Sequence, residues 1–245
     1  MVSINITIFI ISSLIVLLIV LFIYIKQQKI LVAICCIDER VLELQNCIHC
    51  LKTKDMFNKD IIGLFRKKDI KCKETLSHSY LEVDDYELST TTRHNLTGLI
   101  NKRNLALEYA RNNNYDKLIF IDSDIEVNNF TLPCLLFGTI FADISCVAYP
   151  VRWANMLPVV GFYNPPSIQI INYGLLPFQK CDIAGTGCTC IDINSKKIPD
   201  KFIYGEITGP GGYAVFGEDI GFFIEAKKND ALVLVSTWNI VNHKY

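Results

Sequence analysis

The chain has 245 residues, a formal net charge of −1 and a sequence pI near 6.4. That length suffices for one domain with a substantial core. The near-neutral balance lacks the basic footprint that phosphate neutralisation requires, so DNA and RNA are excluded as partners.

Residues 1–25 carry no charged side chain, and within them residues 6–25 are a mostly apolar run. As a helix this run spans roughly 30 Å, the thickness of a bilayer's hydrocarbon core. The reading is a tail at 1–5, a transmembrane helix at 6–25, a linker at 26–29 and a domain at 30–245. A cleaved signal peptide fits less well, because no basic residue precedes the run and Lys26 and Lys29 follow where a small-residue cleavage site belongs. Those two lysines place the domain on the cytoplasmic side of a single-pass membrane protein. The ten cysteines, several within apolar strand-like runs, agree as reduced buried thiols. In the opposite orientation the sequons at Asn5, Asn95 and Asn129 would be usable acceptors.

Residues 30–36 suit a buried first strand, and Val41, Leu42, Leu44, Ile48 and Leu51 then recur at helical spacing. Cys47, His49 and Cys50 look like half a zinc site, but no second pair follows and the segment has helical periodicity. Residues 61–65 read as a second strand. The basic stretch from Arg66 to Lys73 and the acidic one from Glu82 to Glu87 read as solvated faces. A helix is expected over 99–112, broken by Asn112-Asn113-Asn114-Tyr115 before a strand at 117–121. A helix at 132–141 and strands at 145–149, 159–163 and 168–173 follow, the last two flanking Asn164-Pro165-Pro166. A helix at 219–229 and a strand at 231–235 lead to His243. Parallel β/α units therefore come first and a mixed-strand section second.

Chemistry concentrates at three places. The strand at 117–121 runs straight into Asp122-Ser123-Asp124, and where the backbone turns at a strand end both carboxylates can reach one cation, directly or through water. An aspartate capping the next segment is the plainer alternative. Glu218 and Asp219 follow the glycine-rich residues 209–212 and open a helix, where acids suit the helix dipole; a carboxylate there can also serve as a general base. His243 with Asp124 would make a mixed oxygen and nitrogen ligand set that suits Mn2+ and tolerates Mg2+. Gly185 and Gly187 would permit close approach of a ligand, the glycines at 209–212 a mobile loop, and Trp153, Tyr163 and Tyr213 a stacking surface.

Taken together, Asp122-Ser123-Asp124, the later Glu218-Asp219 and the late His243 resemble, in this order, the DxD, xED and C-terminal histidine of the GT-A glycosyltransferases. The phrase from Arg103 to Leu107, ahead of the strand that ends at Asp122, is similar to the helix leading into DxD in that superfamily. The likeness covers residues 30–245. It implies an α/β, Rossmann-like nucleotide-diphospho-sugar transferase fold with a mixed central sheet, here preceded by one transmembrane helix. It further implies a divalent cation on Asp124 and His243, with Asp122 meeting the ribose or a metal-bound water. Asp219, beside Glu218, would be the base of an inverting enzyme, and Arg103 would approach the nucleotide. Asp38 and Arg40, at the exit of the first strand, would meet the nucleobase or ribose. The substrates would be a nucleotide-sugar donor and, given the short span between DxD and xED, a simple glycan or lipid-linked acceptor. Two rivals remain: a non-catalytic, membrane-tethered nucleotide-sugar or glycan-binding module, and a phosphatase of the haloacid dehalogenase type. The latter carries its paired aspartates on the opening strand, whereas here they are mid-chain.

Overall fold

The computed structural model describes residues 2–53, 57–77, 79–85, 94–150, 160–171, 176–208, 212 and 214–243. Helix α1 (Val2–Gln27) leads into strand β1 (Ile30–Cys35), a 3-10 turn (Asp38–Arg40) and α2 (Val41–Thr53). Next come β2 (Lys59–Arg66), α3 (Ile70–Leu76), β3 (Tyr80–Val83), α4 (His94–Asn112), β4 (Lys117–Asp122), β5 (Ile125–Glu126), α5 (Thr131–Phe141) and β6 (Ile144–Ala148). The second half holds β7 (Gly161–Asn164), β8 (Ser167–Ile170), β9 (Phe178–Cys181), β10 (Cys188–Asp192), β11 (Gly205–Thr208) and β12 (Ala214–Gly217). Helix α6 (Glu218–Lys228), β13 (Val233–Ile240) and β14 (Asn242–His243) close it.

The main sheet has eight strands in the order β3-β2-β1-β4-β10-β6-β13-β9. Strands β3, β2, β1 and β4 are mutually parallel, β10 lies antiparallel between β4 and β6, and β13 is parallel to β6. Smaller units are a four-stranded sheet, β12-β11-β8-β7, and a two-stranded ribbon, β14-β5.

Strand alternation explains why the central strands are apolar throughout. Leu31, Ala33 and Cys35 of β1 join one core cluster with Ala106 and Ala110 of α4 and Phe222 and Phe223 of α6. Ile30, Val32 and Ile34 join the other, with Leu44 and Ile48 of α2 and Leu132 and Leu136 of α5. A sheet covered by helices on both faces needs apolar side chains at every position.

The chain leaves β1 toward β2 and β3 and returns through α4 to β4 on the other side of β1. The carboxyl ends of β1 and β4 therefore flank a topological switch point, where α/β sheets place ligands. Cys35 and Asp122 are direct neighbours there.

Several expectations need correction. The basic stretch is not wholly solvated: Arg66 is 2% and Asp69 0% exposed, and they form a buried pair at the start of α3. An isolated buried charge is costly, and here the two neutralise each other, with Glu39 as a further partner of Arg66 at 3.2 Å. The strands β3, β9, β10, β11 and β12 and the helix α3 are additions to the expected elements, and β13 continues well beyond 235. Cys47, His49 and Cys50 lie in α2 as expected from its periodicity. All ten cysteines are free thiols, eight of them buried. Trp153, Tyr213, Gly209 and Gly211 lie outside the described residues.

Candidate active site

Three segments converge at the switch point. Strand β4 ends at Asp122, whose backbone N–H donates to the Gly187 carbonyl at 2.8 Å; Ser123 N–H donates to the Cys35 carbonyl at 3.2 Å. These bonds hold the turn that presents Asp124. Strand β5 follows at once and pairs antiparallel with β14, His243 opposite Ile125. That short ribbon brings His243 Nε2 to 3.2 Å from Asp124 Oδ2. Burial opposes protonation of His243, but its bond to Asp124 and the charge of Asp122 raise its pKa above the ordinary imidazole value.

Arg103 organises the carboxylates from beneath. Its side chain is 1% exposed, its Nη2 lies 3.1 Å from Asp122 Oδ1 and its Nε 3.0 Å from Glu218 Oε1. The guanidinium also stacks over Phe120, 5.1 Å from the ring centroid. Arg103 thus joins the end of β4 to the start of α6. Glu218 is likewise buried and also accepts from the Thr186 hydroxyl at 3.4 Å. Its Oε1 is therefore engaged by both Arg103 and Thr186.

Asp219 is placed differently. It is half-buried, and its Oδ1 accepts the Ile220 N–H at 2.8 Å. Desolvation, followed by the neighbouring Glu218 charge, pushes its pKa up to about 7. A carboxylate with that pKa can take a proton at neutral pH and hold it. Desolvation also raises the pKa of Asp122, against the pull of Arg103.

A crevice of about 260 Å³ opens beside these groups, lined among others by Cys36, Arg40, Lys102, Asp122 and Asp124. The Arg40 guanidinium pairs with Asp124 Oδ2. Asp38 faces elsewhere: its Oδ1 accepts the Cys72 N–H at 2.9 Å, so the structure does not bring it together with the other candidates. Lys102 escaped notice in the sequence. Its Nζ donates to the Cys36 carbonyl at 2.8 Å, and burial lowers its pKa.

Tyr149 and Gly187 are further additions. Tyr149 Oη accepts the Gly187 N–H at 3.0 Å, and its ring meets His243 edge-on at 5.5 Å. A Cβ at Gly187 would stand 2.5 Å from Asp122 Oδ2 and 2.7 Å from Tyr149 Oη. No side chain fits there without displacing the carboxylate. Tyr163, a candidate stacking residue, lies in the β7–β8 hairpin, where its carbonyl accepts from Lys227 at 2.6 Å.

The fit to a divalent cation can be judged from the donors. Among the described residues no three His, Cys, Asp or Glu side chains are already grouped as a metal cage. Asp124 and His243 nevertheless lie side by side, and Asp124 Oδ1 is buried without a hydrogen-bond partner among the described residues. A buried carboxylate oxygen lacking a donor suits a cation, and an oxygen–nitrogen pair completed by phosphate oxygens suits Mn2+ or Mg2+.

No protein family and no curated protein matches the sequence. Among solved structures, the chain is similar to a mannosyltransferase from Pyrobaculum calidifontis in complex with GDP-Man and Mn2+, with a TM-score of 0.50, 9% identity, and coverage of 88% of this chain and 56% of that one. It is also similar to S. aureus TarS, with a TM-score of 0.50, 16% identity, and coverage of 89% and 37%. A mycobacterial protein gives a TM-score of 0.52 at 11% identity, with coverage of 89% and 68%. The chain spans little more than half the length of the mannosyltransferase and less of TarS. At these identities the likeness is one of fold. That fold is the GT-A fold of nucleotide-sugar glycosyltransferases.

Proposed function

We propose that this protein is a membrane-anchored glycosyltransferase that moves a sugar from a nucleotide-sugar donor to a hydroxyl of a glycan or lipid-linked acceptor, with inversion. The observation that carries the reading is the convergence of Asp122, Asp124, Asp219 and His243 at the switch point of a GT-A sheet. Arg103, held by Asp122 and Glu218, gives that arrangement its rigidity.

In the proposed reaction the donor's diphosphate lies in the crevice, where Arg40 and Lys102 supply positive charge. Asp219 takes the proton of the acceptor hydroxyl as that oxygen bonds to the anomeric carbon. The bond from that carbon to the diphosphate oxygen breaks, and the electron pair leaves with the nucleoside diphosphate. Asp124 and His243 would hold a divalent cation, which when bound stabilises negative charge on the departing diphosphate. Helix α1, with residues Phe9–Gln27 long and apolar enough to span a bilayer, would anchor the domain on the cytoplasmic side.

Arg40 favours a second reading of the metal chemistry. Because its guanidinium already pairs with Asp124, it could supply the leaving-group charge without a cation. The test is release of nucleoside diphosphate from a panel of nucleotide sugars, with and without EDTA. Turnover abolished by EDTA and restored by Mn2+ supports the metal reading; turnover indifferent to EDTA supports Arg40. A chain that turns over no donor in the panel contradicts the enzyme reading.

A further inference from the structure

A cavity larger than the crevice lies beside the last turns of α1. It is an apolar groove of about 1100 Å³ whose walls include Leu18, Phe22 and Ile25 from α1 and Phe130, Phe178 and Trp238 from the domain. The helix is docked here rather than loosely tethered: Ile25 is 5% exposed, and the Phe22 and Phe57 rings lie 5.9 Å apart.

Three observations bear on what fills the groove. First, depth: if residues 6–25 cross the hydrocarbon core, then Leu18 to Ile25 occupy its last 10 Å or so, at about 1.5 Å per residue. Domain residues that share a cavity with those helix residues lie at the same depth. Second, composition: α5 contains no charged side chain, and Trp238 is 71%, Phe130 69% and Leu176 69% exposed. Large apolar side chains gathered on one face need an apolar partner. Third, continuity: the groove merges with the exposed apolar surface of α1, including Phe9, Leu14 and Leu18.

We infer that the groove holds an acyl chain of a membrane phospholipid and that the α5–β13 face of the domain is seated in the adjacent leaflet. This rests on α1 being a membrane anchor. Trp238 then acts as an interfacial aromatic, its ring among acyl chains near the headgroups. Seating also fixes the domain's tilt: strand β1 begins three residues after α1 ends and carries the crevice at its far end, roughly 20 Å away at about 3.3 Å per residue.

The full chain carries two tryptophans, so Trp153→Phe leaves Trp238 as the sole indole. In phosphatidylcholine vesicles, lipids brominated on the acyl chain near the headgroup should remove about half or more of the Trp238 emission, and aqueous iodide little of it. Should Trp153→Phe misfold, the difference between the native chain and Trp238→Phe, altered at an exposed position, gives the same readout. Quenching by iodide but not by bromolipid, in a chain that resists carbonate extraction, overturns the seating and leaves the anchor standing. Shielding from both quenchers points to a second protein copy on this face and also overturns it. Release of the chain by carbonate defeats the anchor reading and this inference with it.

Discussion

His243 Nε2 lies 3.2 Å from Asp124 Oδ2, although the two are far apart in the sequence. The β14–β5 ribbon produces this proximity, and under the proposed function the imidazole and the Asp124 carboxylate, whose Oδ1 has no hydrogen-bond partner among the described residues, would serve as a pair of cation ligands. Removing one ligand should cost at least as much as removing a ligand's outer partner, on the order of 10–100-fold in metal affinity. His243→Ala is therefore expected to weaken Mn2+ binding by about that factor, read by electron paramagnetic resonance of free Mn2+. Turnover should recover partly when Mn2+ is raised.

Arg103 is the fully buried charge on which the carboxylate arrangement rests. Arg103→Met would leave Asp122 and Glu218 without their cation, and stranding buried partners costs about 3–5 kcal/mol. For a domain of this size that corresponds to a melting temperature lower by on the order of 10 °C. Glu218→Gln keeps a hydrogen-bond acceptor for Arg103, so a smaller fall is expected, measured by calorimetry alongside.

Gly187→Ala tests close packing over the turn from Asp122 to Asp124. The added methyl would displace Asp122 or Tyr149, and overpacking of this kind costs typically 1–3 kcal/mol. Loss of about tenfold or more in kcat/KM is expected, with global stability falling less than in the Arg103 variant.

The pKa of Asp219 predicts two pH dependences of opposite sense. As a base it must be ionised, so turnover should rise with pH and level off above about 7. Its folded pKa is raised above the ordinary aspartate value, so the native state binds the proton more tightly than the unfolded chain. That contribution to stability is fully present below pH 4 and is lost as pH rises through about 7. Asp219→Asn should flatten both profiles, read by initial rates and by urea unfolding at several pH values.

What the sequence revealed follows from the range of the forces involved. Strands β1 and β4 were legible because both faces of the sheet are covered, which makes Ile30 to Cys35 and Leu118 to Ile121 continuous apolar runs. Asp122, Asp124, Asp219 and His243 stood out because each is a polar residue at the end of a regular element. Strand β10 was hidden: Cys188 to Asp192 is short, and only pairing with β4 and β6 specifies it. Arg66 was read as solvated because nothing local signals that it is buried together with Asp69. Arg103 was noticed, yet its role depended on Glu218, remote in the chain and recruited only when α6 docks beside α4. Asp38 stood at the expected strand exit, but its bond to the Cys72 N–H could not be foreseen from sequence.

The most direct test of the account compares donor turnover and donor binding in the native chain and in Asp219→Asn. The account predicts that both bind the nucleotide sugar with similar affinity, while the variant loses about 10²–10⁴-fold in kcat, the usual contribution of a positioned general base. Equal binding with no turnover by either protein would contradict it and identify a binding module instead.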